Sequence, residues 1–151
     1  MKKRGILNAQ LSYLLAALGH KDLFMIGDAG MPIPEGVEVV DLVLTAGVPT
    51  FKQVLDAVLD EVQVEGYYLA HEIKEFNPEL EEYIKAGLPE AEVEYMPHED
   101  LKKFSGKCRF AIRTGEFSPY PNVILRAGVA PFFSKKKFDP LLHYILIQSF
   151  S

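Results

Sequence analysis

Gly19-His20-Lys21-Asp22-Leu23-Phe24-Met25-Ile26-Gly27-Asp28-Ala29-Gly30-Met31-Pro32-Ile33-Pro34 is the stretch on which the reading of the chain turns. Leu23 to Ile26 is continuously apolar rather than alternating, and glycine and charged residues bound it, which predicts a short strand buried on both faces. Gly27 to Gly30 makes the turn that follows, where glycine admits positive φ and Asp28 is left at the strand's carboxyl end. In open α/β sheets that edge is where ligands gather. His20 stands just before the same strand, so the run carries a titratable group at each end.

Upstream, Asn8 can cap a helix whose apolar face is Leu11, Leu14, Leu15 and Leu18, with Gly19 as its stop. Downstream, the proline loop 31–36 cannot be helical, and the β-branched run from Val37 to Leu44 predicts a second strand. Thr50 and Gln53 have the spacing of a capping box, ahead of a helix with Phe51, Val54, Leu55, Val58, Leu59 and Val62 on one stripe. Gly66 to Ala70 reads as a strand, and Pro78 after Asn77 starts a further helix to Gly87, where the missing N–H of proline is harmless. Val93 to Met96, Cys108 to Ile112 and Val123 to Leu125 read as strands, and Pro97 to Phe104 as a short helix. This alternation argues for an α/β, three-layer architecture: a mostly parallel sheet flanked by helices. Residues 1–132 form one domain in this reading. Residues 133–151, where a Lys135-Lys136-Lys137 run precedes an apolar segment from Phe138 to Phe150, form an appended C-terminal tail of unassigned role.

The chain has 151 residues, of which 48% are hydrophobic and 25% charged, as expected of a globular domain with a sizeable core. A formal charge of −5 argues against a nucleic-acid partner, since phosphate contacts need clustered Lys and Arg. The single cysteine, Cys108, excludes an internal disulfide and a thiolate metal site, and its setting suits a small core residue. No run approaches the ~18 apolar residues that cross a bilayer, and the basic start lacks the long apolar stretch of a secretion signal. A cytoplasmic location and no membrane partner are expected.

The loops after the strands collect Asp28, then His98, then Glu116, Tyr120 and Asn122, and the carboxyl-end rule places them on one edge of the sheet. Carboxylate, amide, phenol and imidazole together suit hydroxyl-rich ligands, because each hydroxyl wants a donor and an acceptor. Singly, each has a plainer role: Tyr120 and Asn122 could order their own loop, and His98 could cap a helix. His20 lies at the other end of the strand. The eight residues from His20 to Asp28 span at most about 26 Å when extended, and a strand of this length keeps its ends roughly 17 Å apart. One small sugar therefore cannot touch both within a subunit, and a shared substrate would require His20 from a neighbouring chain. A hydrolase with a metal on His20, Asp28, His71 and His98 is disfavoured by their scattered spacing, so no metal or other cofactor is expected.

Several motifs point the same way: Met1-Lys2-Lys3 with Gly5-Ile6-Leu7-Asn8, Leu18-Gly19-His20, Asp28-Ala29-Gly30 with Pro32, Gly47-Val48-Pro49, Glu72-Ile73-Lys74, and Ile112-Arg113-Thr114-Gly115-Glu116 with Pro119, Tyr120 and Asn122. In this the chain resembles the ribose pyranase and fucose mutarotase family over residues 1 to about 132, the last motif favouring the ribose branch. The resemblance implies a cofactor-independent isomerase that interconverts the pyranose and furanose forms of β-D-ribose in the cytoplasm, supplying ribose for phosphorylation. It also implies a homodecamer of two stacked pentameric rings with sites between subunits. Carried over by position, His20 is the proton donor, Asp28, His98, Tyr120 and Asn122 hold the sugar, and Lys102, one helical turn beyond His98, is a further candidate. A mutarotase acting on fucose or another sugar, or a non-catalytic sugar-binding ring protein, is the alternative. Pro121 departs from the small residue the family usually has there, and the tail from Phe133 onward lies outside the pattern.

Overall fold

In the computed structural model, the described residues are 1–130 together with Ile145, Gln148 and Ser149. The tail at 133–151 and its Lys135-Lys136-Lys137 run thus lie outside the described residues, those three apart.

The elements follow in the order α1 (Ala9–Ala16), β1 (Leu23–Gly27), β2 (Glu38–Asp41), α2 (Phe51–Glu61), β3 (Val64–Ala70), α3 (Ile73–Phe76), α4 (Pro78–Gly87), β4 (Glu92–Met96), α5 (His98–Phe104), β5 (Phe110–Arg113) and β6 (Val123–Ala127). The six strands form one sheet in the order β2-β5-β1-β6-β3-β4. β2 with β5, β5 with β1, and β3 with β4 are parallel. β6 is antiparallel to both its neighbours, β1 and β3. Five strands therefore point one way and β6 returns between them, so the start of β6 shares an edge with the carboxyl ends of all the others.

Side-chain alternation divides the core into two layers of packing. Phe24 and Ile26 of β1, Phe110 and Ile112 of β5, and Val123 and Leu125 of β6 face a cluster completed by Leu11 and Leu15 of α1, Phe51, Leu55 and Val58 of α2, and Ile84 of α4. Met25, Ala111 and Ile124, one residue along each strand, turn to the other face, where Leu101, Cys108 and Met31 cover them and Phe104 packs alongside. β1 is accordingly buried on both sides, as its unbroken apolar run requires. Cys108 lies in this second layer, and desolvation pushes its thiol up to about 12.

Local signals explain most boundaries. Asn8 accepts the Leu11 N–H at 2.9 Å and starts α1. Thr50 Oγ1 accepts the Gln53 N–H at 3.1 Å while Gln53 Oε1 accepts the Thr50 N–H at 2.9 Å, closing the capping box of α2. Two readings need correction. α1 stops at Ala16 rather than at Gly19, because its last turn tightens: the Leu18 N–H bonds back to Leu15 O. Gly19 instead opens the turn into β1, its N–H bound by Asp22 Oδ2 at 2.7 Å. The second strand ends at Asp41, not Leu44, because the Asp41 side chain accepts the Val43 N–H at 3.1 Å and diverts that amide from the ladder. The single-turn helix α3 had no periodic pattern to announce it.

Candidate functional site

The Arg113-Thr114-Gly115-Glu116 segment builds the floor of the site. Arg113 donates from Nε to Ala29 O at 2.8 Å and from Nη1 to Asp41 Oδ2 at 2.9 Å. Thr114, fully buried, donates its hydroxyl to Gly27 O at 2.7 Å and accepts the Glu116 N–H at 3.2 Å. Gly115 passes against the 45–49 turn so closely that a Cβ there would lie 2.6 Å from Val48 N and 2.7 Å from Val48 O. Only glycine fits. Glu116 turns toward α2, where its Oε1 accepts the Phe51 N–H at 3.0 Å at the start of the helix. Burial alone would raise that carboxyl. Hydrogen bonds from Phe51, Ser118 and Phe117 to the ionised form outweigh it and hold the group below the ordinary carboxylate range.

On this floor four of the expected residues meet. Asn122, at the mouth of β6 and only 1% exposed, accepts the Asp28 N–H on Oδ1 at 2.9 Å and donates from Nδ2 to Asp28 Oδ2 at 3.2 Å. Asp28 Oδ1 in turn accepts the Gly30 N–H at 2.8 Å and shapes the loop after β1. The Asn122 N–H bonds to Tyr120 O at 2.9 Å, closing a three-residue turn centred on Pro121, whose fixed φ suits the inverse form of that turn. Tyr120 itself has φ of +53°, an uncommon conformation for a bulky residue and one that marks constrained sites. Its ring meets His98 edge-on at 5.0 Å and Phe76 at 5.6 Å.

His98 opens α5, and its own N–H is capped by Glu72 Oε2 at 2.9 Å, so the imidazole has no capping duty. Its Nδ1 is buried and has no hydrogen-bond partner among the described residues. A buried, unpaired nitrogen on a ring that packs against a phenol leaves hydrogen-bonding capacity unused. Asn77 ties the 118–119 loop down by donating to Pro119 O at 2.9 Å and Ser118 Oγ at 3.2 Å. Glu72, Phe76 and Asn77 had not been singled out from sequence; Glu72 alone left a trace, in the Glu72-Ile73-Lys74 motif.

The two remaining expected residues pair with carboxylates. Lys102 directs its ammonium to Glu99 Oε1 at 3.1 Å on α5 itself. His20 belongs to the opposite edge, where its Nε2 lies 2.5 Å from Glu65 Oε1 of β3. Glu65 Oε2 is 3.3 Å from Arg126 Nε, and Arg126 Nη1 donates to Tyr68 Oη at 2.8 Å. Among the described residues no three His, Cys, Asp or Glu side chains converge on a metal position. No helix there is long and apolar enough to cross a membrane.

The chain is similar to known proteins in sequence and in fold. The model of the RbsD / FucU transport protein family matches residues 1–130. The chain is 51% identical over 129 residues to a D-ribose pyranase of Limosilactobacillus fermentum, covering 85% of this chain and 98% of that one. It is 49% identical over 138 residues to a D-ribose pyranase of Geobacillus kaustophilus, covering 91% and 100%. The solved structure of Bacillus subtilis RbsD complexed with D-ribose superposes with a TM-score of 0.83 at 45% identity, covering 86% of this chain and 99% of that one. A fucose mutarotase from Streptococcus pneumoniae in complex with L-fucose shares the fold, with a TM-score of 0.66 at 21% identity over 82% of this chain and 94% of that one.

Proposed function

The chain belongs to the RbsD / FucU transport protein family, and from that premise we propose how its two sheet edges work on a sugar. It is an isomerase of D-ribose, interconverting the pyranose and furanose ring forms, as the curated D-ribose pyranases about half identical to it support. The observation that carries the residue assignment is the convergence of Asp28, Asn122, Tyr120 and the unpaired His98 nitrogen on one edge. Fucose is not favoured, because the fucose-binding neighbour resembles the chain at a level that speaks for fold alone.

Ring opening removes a proton from the anomeric hydroxyl and delivers one to the ring oxygen as the bond between carbon 1 and that oxygen breaks. Reclosure from another hydroxyl reverses both transfers. Asp28, Asn122, Tyr120 and His98 hold the hydroxyls, since together they offer acceptors and donors fixed by their own hydrogen bonds. His20 carries the proton, and an imidazole suits either half of the exchange near neutral pH. Because β1 separates its two ends by roughly 17 Å, the His20 that serves a given site comes from a neighbouring copy. The assembly is a decamer of two pentameric rings in the cytoplasm. Lys102 is an outer contact to the sugar, its ammonium shared with Glu99.

Exchange NMR on ribose tests this directly. Added protein should speed pyranose–furanose exchange, and His20→Ala should slow it by about 10² to 10⁴. Sedimentation should find a large oligomer. A monomer with full activity, or a fully active His20→Ala protein, would overturn the composite site.

A further inference from the structure

We propose that Glu65 is a positioning residue for His20: it fixes the imidazole with the proton on Nε2 and leaves Nδ1 as the nitrogen that exchanges protons with the sugar. The inference rests on the reading of His20 as the proton carrier. Glu65 Oε1 is buried and accepts no hydrogen bond among the described residues, and His20 Nε2 lies in ion-pair contact with it, 2.5 Å away. The second carboxylate oxygen is held from the far side by Arg126 Nε at 3.3 Å. Arg126 is itself fixed by donating to Tyr68 Oη at 2.8 Å and by Glu92 Oε2, 3.6 Å from Nη2. Its guanidinium crosses β3 over Gly66, where a Cβ would come within 2.7 Å of Cζ, so a larger residue at 66 would evict it.

The chain of contacts has a direction. A guanidinium only donates, so Glu65 Oε2 accepts, and a carboxylate only accepts, so a small rotation of the ring brings Nε2–H onto the unpartnered Oε1. Nδ1 then keeps its lone pair on the half-exposed face of the ring, the side chain being 50% exposed. When Nδ1 takes the anomeric proton, the freed electron pair forms the carbonyl at carbon 1, the pair of the broken ring bond passes to the ring oxygen, and that oxygen takes the proton back from Nδ1. The charge that appears meanwhile on the imidazolium lies against Glu65. This is the orienting logic by which a carboxylate sets the tautomer of a catalytic histidine.

Glu65→Gln makes a sharp test because the amide cannot satisfy both neighbours as the carboxylate does. Arg126 still demands an acceptor, so the amide oxygen turns to it and the NH2 faces His20 Nε2. The imidazole must then carry its proton on Nδ1. Nitrogen-15 NMR of the imidazoles, with His20 assigned by its absence in His20→Ala, should show Nε2–H in the wild type and Nδ1–H in Glu65→Gln. The turnover number for ribose exchange should fall about 10²-fold, with KM within about twofold of wild type. Glu65→Asp, which keeps an acceptor-only group, should retain the wild-type tautomer and recover part of the rate. An unchanged tautomer in Glu65→Gln, or an unchanged turnover number where His20→Ala is inactive, overturns the positioning role and leaves His20 as carrier. Full activity in His20→Ala overturns both.

Discussion

Gly115→Ala is the substitution whose cost the geometry fixes most closely. The added Cβ would sit 2.6 Å from Val48 N, 2.7 Å from Val48 O and 2.8 Å from Thr45 O, all of them backbone atoms with no rotamer to yield. Ordinary carbon contacts lie near 3.5 Å, so the strand end and the 45–49 turn must part by several tenths of an ångström. Two hydrogen bonds clamp that seam, Gly47 N–H to Gly115 O at 2.7 Å and Gly115 N–H to Pro49 O at 2.8 Å. Stretching both forfeits ~0.5 to 1.5 kcal/mol each, and overpacking adds ~1 to 3 kcal/mol. A loss of about 3 kcal/mol is expected, which lowers the urea midpoint by about 1.5 M at a slope near 2 kcal/mol/M. Protein concentration must be held fixed, since any association between copies contributes to apparent stability. Gly106→Ala is the control: nothing lies within 4 Å of its Cβ and its φ is not positive, so it should stay within about 0.5 kcal/mol of wild type. A Gly115→Ala protein that unfolds at the wild-type midpoint would refute the close approach.

Three further outcomes are expected. Thr50→Ala removes the Gln53 N–H acceptor of the capping box and should cost about 1 kcal/mol in urea unfolding, with circular dichroism of the folded state unchanged. Glu116→Gln should destabilise at neutral pH, because the lowered folded-state value of Glu116 contributes stability that is present above the ordinary carboxylate range and lost as pH falls through the folded value. The gap between variant and wild-type midpoints should therefore stay constant from pH 6 to 8 and narrow as pH falls below the ordinary carboxylate range. Cys108, buried and with its thiol pushed up to about 12, should resist a thiol reagent at pH 8 in the native protein and react promptly in urea; fast native labelling would place it at the surface.

The architecture was legible wherever a single segment carried its own signal. The unbroken run of β1, the Asn8 and Thr50 caps and the Pro78 helix start are local, and the structure places them as read. Asp28, His98, Tyr120 and Asn122 could be gathered onto one edge because each follows a strand or precedes one at the same side. What remained hidden depends on partners distant in sequence. The antiparallel course of β6 leaves no mark in its apolar composition. The Glu72 cap on His98 and the Asn77 clamp on Pro119 join residues that only folding brings together. Glu65, a lone carboxylate near the start of a strand, reads from sequence as an ordinary solvated charge, and only the facing His20 and Arg126 give it another meaning.

The reversed central strand makes β6 a ruler. Asn122 at its mouth grips Asp28, and Arg126, four residues on, grips Glu65 behind His20. Side chains alternate with a period of two, so a one-residue insertion would move Ile124 from one packing layer to the other and, in the same stroke, shift the Asn122–Asp28 end against the Arg126–Glu65 end. The length of this strand is fixed from both ends at once.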